Sequence, residues 1–189
     1  MRSAIPSLDP DGRESREAGF SLIEVMIAIA VLSLAIVSAA SAMAVTSGLS
    51  RASTESADAL AATQEQLELL RGQTFSEIFA RYNGQPADDP DGPGTAPGSG
   101  FEVPGLAARP GDPDGLPGEI RFPASPAVPG ILREDIALLD RPIDLDVDGA
   151  IDNQDKSASY LLLPVEVRVD WRNAGGNRSV EIQTILLRP

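Results

Sequence analysis

From Ala18 to Val45 the chain reads "AGFSLIEVMIAIAVLSLAIVSAASAMAV", an almost unbroken apolar and small-residue run with no Pro and one charge, Glu24. Twenty or so apolar residues in helical form match the ~30 Å hydrocarbon layer, so the pattern predicts a transmembrane helix over 20–45. A secretory signal peptide is the competing reading, with "SAASAMA" (Ser38 to Ala44) as its small-residue cleavage site. Against it, the run exceeds the ~7–15 apolar residues of a signal core, and the helical pattern continues past it. Apolar or small residues recur at Leu49, Ala52, Ser56, Leu60, Thr63, Leu67, Leu70, Thr74 and Ile78, with Phe75 and Phe79 widening the stripe. This spacing predicts an amphipathic continuation over 46–82, in one helix from Ser21 to about Tyr82. Small residues dominate up to Thr63 and suit close helix packing. The larger ones after it suit docking on a sheet.

Over 83–130 the pattern is lost. That window holds ten Gly and eleven Pro in 48 residues, which excludes regular helix and leaves room only for brief strands, "FEV" at Phe101 and "GEIRFP" at Gly118. "DPDG" recurs at Asp9, Asp89 and Asp112 and reads as turn chemistry rather than a repeat architecture. Over 131–189 the period becomes two. In "LPVEVRVDWR", Val165, Val167, Val169 and Trp171 alternate with Glu166, Arg168, Asp170 and Arg172, the mark of a half-buried strand. "NAGGN" (Asn173 to Asn177) reads as a hairpin loop and "SVEIQTILLR" as the returning strand. The expectation is an α+β fold: a long N-terminal helix, half in the membrane and half docked, packed on a C-terminal antiparallel sheet.

Composition narrows the function. The formal net charge is −13, from 28 acidic and 15 basic residues, which argues against nucleic-acid binding. The absence of His and Cys removes the commonest general base, the thiol nucleophile, disulfides, and the usual zinc and iron–sulfur ligands apart from carboxylates. No nucleophile–base pair or phosphate-binding loop is recognisable, so the reading is not an enzyme. Lys156 is the only Lys among the basic residues; the others are all Arg. Arg13 and Arg16 lie just before the span and Arg51 just after it, which favours a cytoplasmic N-terminus and an extracytoplasmic C-terminal part.

"GFSLIEV" (Gly19 to Val25), set directly before the long apolar run, resembles the processing site of type IV prepilins and type II secretion pseudopilins. The resemblance implies a leader peptide over 1–19 that prepilin peptidase removes by cutting after Gly19. It also implies N-methylation of Phe20 and a fifth-position carboxylate at Glu24 that serves assembly by pairing with the amine of a neighbouring subunit. The leader is longer and less basic than many in that family. "ATQEQLELLRGQTF" (Ala62 to Phe75) resembles the helix of PilV-like and GspI-like minor subunits, with Glu68 at the matching acidic position, and Ser41 stands where major pilins often place a kinking Pro. The resemblance thus implies a pilin-like fold and a minor subunit of a type II secretion pseudopilus or type IV pilus. Its partners would be the peptidase, other pilin or pseudopilin subunits and the inner membrane, which it would cross once.

One further pattern suggests a metal. "DLDVDGAIDNQD" (Asp144 to Asp155) places acids at loop positions 1, 3, 5, 9 and 12 and Gly149 at position 6. That is the spacing of a calcium loop, in which oxygens converge on one hard cation. The candidate ligands are Asp144, Asp146, Asp148, the Ala150 carbonyl, Asp152 and Asp155. Asp155 replaces the bidentate Glu of an EF-hand, and no helical pattern flanks the loop. The alternative is an acidic, solvated turn. A membrane-anchored extracytoplasmic calcium-binding or adhesion module is the rival functional reading, and it would need the span but no processing.

Overall fold

The computed structural model describes residues 20–125 and 127–189. The chain divides into two compact units at Ser47/Gly48. Helix α1 (Leu22–Arg71) begins in the first and supplies the leading helix of the second.

In the first unit the helix is free of Pro and rich in Ala, Leu and Ile, and it is long and apolar enough to cross a membrane. Its hydroxyls do not burden such a crossing. Ser33, Ser38, Ser41 and Thr46 each donate to the carbonyl four residues earlier at 2.8, 2.8, 2.9 and 2.9 Å. A polar group in hydrocarbon must find its partner within the protein, and these find theirs in their own helix.

In the second unit α1 buries Ala59, Thr63, Leu67 and Leu70, one helical stripe. Thr63 donates its hydroxyl to the Leu60 carbonyl at 2.8 Å, so its burial leaves no unpaired donor. The helix stops at Arg71, and α2 (Phe75–Tyr82) follows. The single helix expected from Ser21 to about Tyr82 is therefore interrupted at Gly72–Thr74. The Gly72 amide bonds to the Glu68 and Leu69 carbonyls at 3.1 and 3.2 Å, and the Gln73 amide to the Leu70 carbonyl at 3.1 Å, a tightening last turn. Gly costs about 1 kcal/mol in a helix interior and is the weakest point in the run. After the break, α2 buries Ile78, Phe79 and Tyr82.

The main sheet has the order β1–β2–β5–β6, with β1 Gly100–Phe101, β2 Gly118–Arg121, β5 Leu162–Asn173 and β6 Gly176–Leu187, all neighbours antiparallel. The brief strands expected at Phe101 and Gly118 are β1 and β2. Their pairing brings the Phe101 ring over Gly118, where a Cβ would lie 2.4 Å from the ring, so a larger residue here would force the ring aside. The β5–β6 hairpin turns through Ala174 and Gly175, with Asn173 opposite Gly176. Period-two alternation in β5 puts Leu163, Val165, Val167 and Val169 at 0% exposure and Trp171 at 1%. This face meets Leu67, Leu70, Ile78, Phe79 and Tyr82 in the main core, and Ala59 in a smaller cluster with Val103 and Trp171. The fold is α+β, a long N-terminal helix with a C-terminal antiparallel sheet, consistent with a pilin-like architecture.

The Pro- and Gly-rich region is tied down by backbone bonds, among them Gly98 N–H to Arg81 carbonyl at 3.2 Å and Ile120 N–H to Ser99 carbonyl at 2.7 Å. It also holds a pair not expected from the pattern: β3 (Ala124–Ser125) and β4 (Val128–Leu132) form a separate two-stranded sheet. β4 straddles the 130/131 boundary between the irregular region and the C-terminal sheet. Pro within a strand run argues against the strand, yet a two-stranded ribbon leaves outer edges where a missing N–H costs nothing.

Candidate functional site

The first candidate is the start of α1. Phe20 precedes the helix and is 81% exposed, and Glu24 is exposed in the first turn. An acid there is favoured by the unpaired amides of a helix N-terminus. Phe20, Glu24, Val25, Ala28, Ile29 and Leu32 line one open groove whose only charged member is Glu24. Phe20 and Glu24 are thus on a common side of the helix start, with the carboxylate in an apolar setting. Gly19 lies outside the described residues. A family model described as the prokaryotic N-terminal methylation motif matches residues 15–40. The chain carries the N-terminal methylation motif characteristic of type IV prepilins and pseudopilins. Among curated proteins and solved structures, none matches the chain. The methylation-motif family is structural, not enzymatic. From Leu22 onward the motif overlaps the part of α1 that is long and apolar enough to cross a membrane.

The second candidate is the acidic loop, which connects β4 to β5 with no flanking helix. Leu145, fully buried, fastens it: its carbonyl accepts from the Leu161 and Leu162 amides at 2.7 and 3.0 Å, at the start of β5. The sharp turn uses positive φ at Val147 (59°) and Gly149 (88°). Gly149 thus stands where the calcium-loop spacing asks for a residue of that conformational freedom.

The aspartates of the loop divide into two groups. Asp144 faces the backbone: its carboxylate accepts the Asp148 amide at 3.2 Å and the Gly149 amide at 2.8 Å. Asp155 accepts the Ser157 amide at 2.9 Å. Ala150 donates its own amide to Asp148 Oδ1 at 2.8 Å. By contrast Asp146, Asp148 and Asp152 gather around the ammonium of Lys156, at 2.8, 3.9 and 3.4 Å.

A fourth carboxylate completes the cluster from outside the loop. Glu134, whose side chain is 0% exposed, lies 3.7 Å from Lys156 Nζ, itself 7% exposed. Glu134 also accepts the Leu145 amide at 2.8 Å and the Asp152 amide at 3.1 Å. Carboxylate oxygens of Glu134, Asp144 and Asp146 lie within 4.8 Å of one another. The hydrogen bond from Lys156 holds the Asp146 carboxyl below the usual carboxylate range. The same bond raises Lys156 against the opposing effect of burial, so the side chain is an ammonium at neutral pH. Asp146 Oδ1 is buried without a hydrogen-bond partner among the described residues.

The donor chemistry is that of a hard-cation site, but a lysine sits beside it, within 4 Å of two of the three converging carboxylates, Glu134 and Asp146. Glu134 and Lys156 were not among the sequence-derived site residues. Glu134 lies ten positions before the loop and carries no spacing signal. Lys156 directly follows position 12 and had one signal, its being the only Lys in the chain.

Proposed function

We propose that this chain is a minor pilin or pseudopilin, a structural subunit that prepilin peptidase cuts after Gly19 and that joins a type II secretion pseudopilus or a type IV pilus. The observation that carries this reading is the methylation motif at 15–40, which runs into a helix from Leu22 that is apolar enough to cross a membrane. Processing leaves Phe20 as an N-methylated terminus, with Glu24 one helical turn further on. The helix anchors the subunit once in the inner membrane, with the N-terminus cytoplasmic and the second unit periplasmic or extracellular.

In a filament the apolar helices pack against one another and exclude water. A lone carboxylate at the bilayer centre costs ~2.5–3.5 kcal/mol or more, and in a dry protein core it is tolerated when paired. The amine of Phe20 in a neighbouring subunit supplies the pair. The charge then sets axial register, as a buried polar residue does in a coiled coil. The PilV-like and GspI-like resemblance at Ala62 to Phe75 and Ser41 in place of a kinking Pro favour a minor subunit. The work of the chain is assembly, not catalysis.

Isolation of filaments from the native host tests this. The processed chain should be recovered with the other filament subunits after detergent removes free membrane protein. Uncut chain confined to the membrane fraction favours the rival, an anchored calcium-binding or adhesion module.

A further inference from the structure

We propose that the acidic loop of this chain is closed by an internal cation: the Lys156 ammonium lies among four carboxylates, three of them from positions a calcium loop would use for its metal, so the second unit holds this loop without calcium. This is independent of the filament reading and rests on the loop's own geometry.

A calcium loop works by gathering carboxylates that would otherwise repel one another. Here that repulsion is met by groups of the protein. Lys156 Nζ lies within 4 Å of Glu134, Asp146, Asp148 and Asp152, at 3.7, 2.8, 3.9 and 3.4 Å. Lys156 is buried to within 7%, so its charge is not a solvated surface charge that swings in and out. Its backbone is fixed as well: the Lys156 amide donates to the Leu132 carbonyl at 2.9 Å, and its carbonyl accepts from Ser159 and Tyr160 at 3.0 Å each. The stem therefore enters the cluster from the end of β4 and the start of the β5 segment.

Except at Asp146, whose Oδ1 has no partner among the described residues, the remaining negative charge is met by backbone amides. Glu134 and Asp144 each accept two, and Asp148 and Asp152 one each. A divalent ion held by Glu134 and Asp146 would have to displace a buried ammonium from both. Expelling one partner of a buried pair is strongly unfavourable because the charges left behind stay desolvated. The Lys156 side chain thus joins Glu134, just after β4, to the loop, and the spacing that signals calcium in the sequence is used for an ion pair.

The experiment compares the full chain in detergent micelles as wild type, Lys156→Met and Asp146→Asn. Each is melted with about 5 mM calcium chloride, well above the ~10⁻⁴–10⁻³ M range of extracellular calcium modules, and with chelator. The fluorescence of Trp171 follows unfolding. The wild type should melt at the same temperature in both conditions. Lys156→Met should melt roughly 10 °C lower in chelator and recover part of the loss in calcium, because the emptied centre then accepts a metal. If Lys156→Met does not fold in chelator, folding on addition of calcium supports the proposal equally. Asp146→Asn, which weakens the closest pair and keeps Lys156, should lower the melting temperature without any calcium response. A wild type stabilised by calcium, or a Lys156→Met as stable as wild type in chelator, would overturn it.

Discussion

Glu55 fastens α1 to the far end of the β5–β6 hairpin. Its Oε2 accepts the Trp171 indole N–H at 3.2 Å and the Asn173 side-chain amide at 2.7 Å. The indole is 1% exposed, so its donor has no access to water when the carboxylate is removed. Hydrogen bonds to a charged acceptor contribute about 1.5–3 kcal/mol each, but Glu55 is half-buried and Asn173 can turn to solvent. Glu55→Ala should therefore cost about 1–2 kcal/mol, mostly from the stranded indole. For a unit of this size that is a fall of roughly 3–8 °C in melting temperature. The assay is urea or thermal unfolding followed by the emission of Trp171, the only Trp in the chain. Glu55→Gln keeps a carbonyl acceptor and should lose less than half as much. If Glu55→Ala unfolds within about 0.5 kcal/mol of wild type, or Glu55→Gln loses as much as Ala, the bond is not what holds the helix to the hairpin.

Glu24→Ala should leave membrane insertion and processing intact but reduce recovery of the chain in isolated filaments, because it strands the terminal amine it is proposed to pair with; unchanged recovery would refute the pairing. Tyr160 donates its hydroxyl to the Phe75 carbonyl at 2.7 Å, so Tyr160→Phe should cost about 0.5–1.5 kcal/mol in an unfolding titration. Burial pushes the Tyr160 phenol up from its ordinary value of 10.0, so its contribution is complete below that pH and is lost as pH rises through the raised folded value. The alkaline loss of wild-type stability should accordingly shrink in Tyr160→Phe.

The parts of this fold legible in the sequence are those whose signal is local. The alternation of Val165, Val167, Val169 and Trp171 demanded a strand with one dry face, and "NAGGN" marked its turn. Phe101 and Gly118 marked the two short strands because apolar residues there interrupt a Gly- and Pro-rich stretch. What escaped depends on contacts between distant residues. The break at Gly72–Thr74 is invisible in a stripe whose helical spacing runs on through Thr74 and Ile78. β3 and β4 sit among prolines that disfavour strands locally, and they form because they pair with each other. Glu55 and Trp171 are separated by more than a hundred positions, and no pattern in either segment announces the other.

The acidic loop shows the same limit in its chemistry. Spacing located the turn, Gly149 and the aspartates, yet spacing reads only which oxygens a loop can offer. What they close around depends on Lys156 and on Glu134, which reaches the cluster from the segment after β4. The amino-terminal motif differs because its meaning lies in a short contiguous run, Gly19 to Val25, and needs no tertiary partner within the chain.

Terminal mass analysis of the protein purified from its native host tests the central claim most directly. The account predicts a mature chain that begins at Phe20 and carries one methyl group on its α-amine. A terminus between Ala42 and Ala44, as an ordinary signal peptidase would leave, or a chain that retains the residues before Phe20, would contradict it.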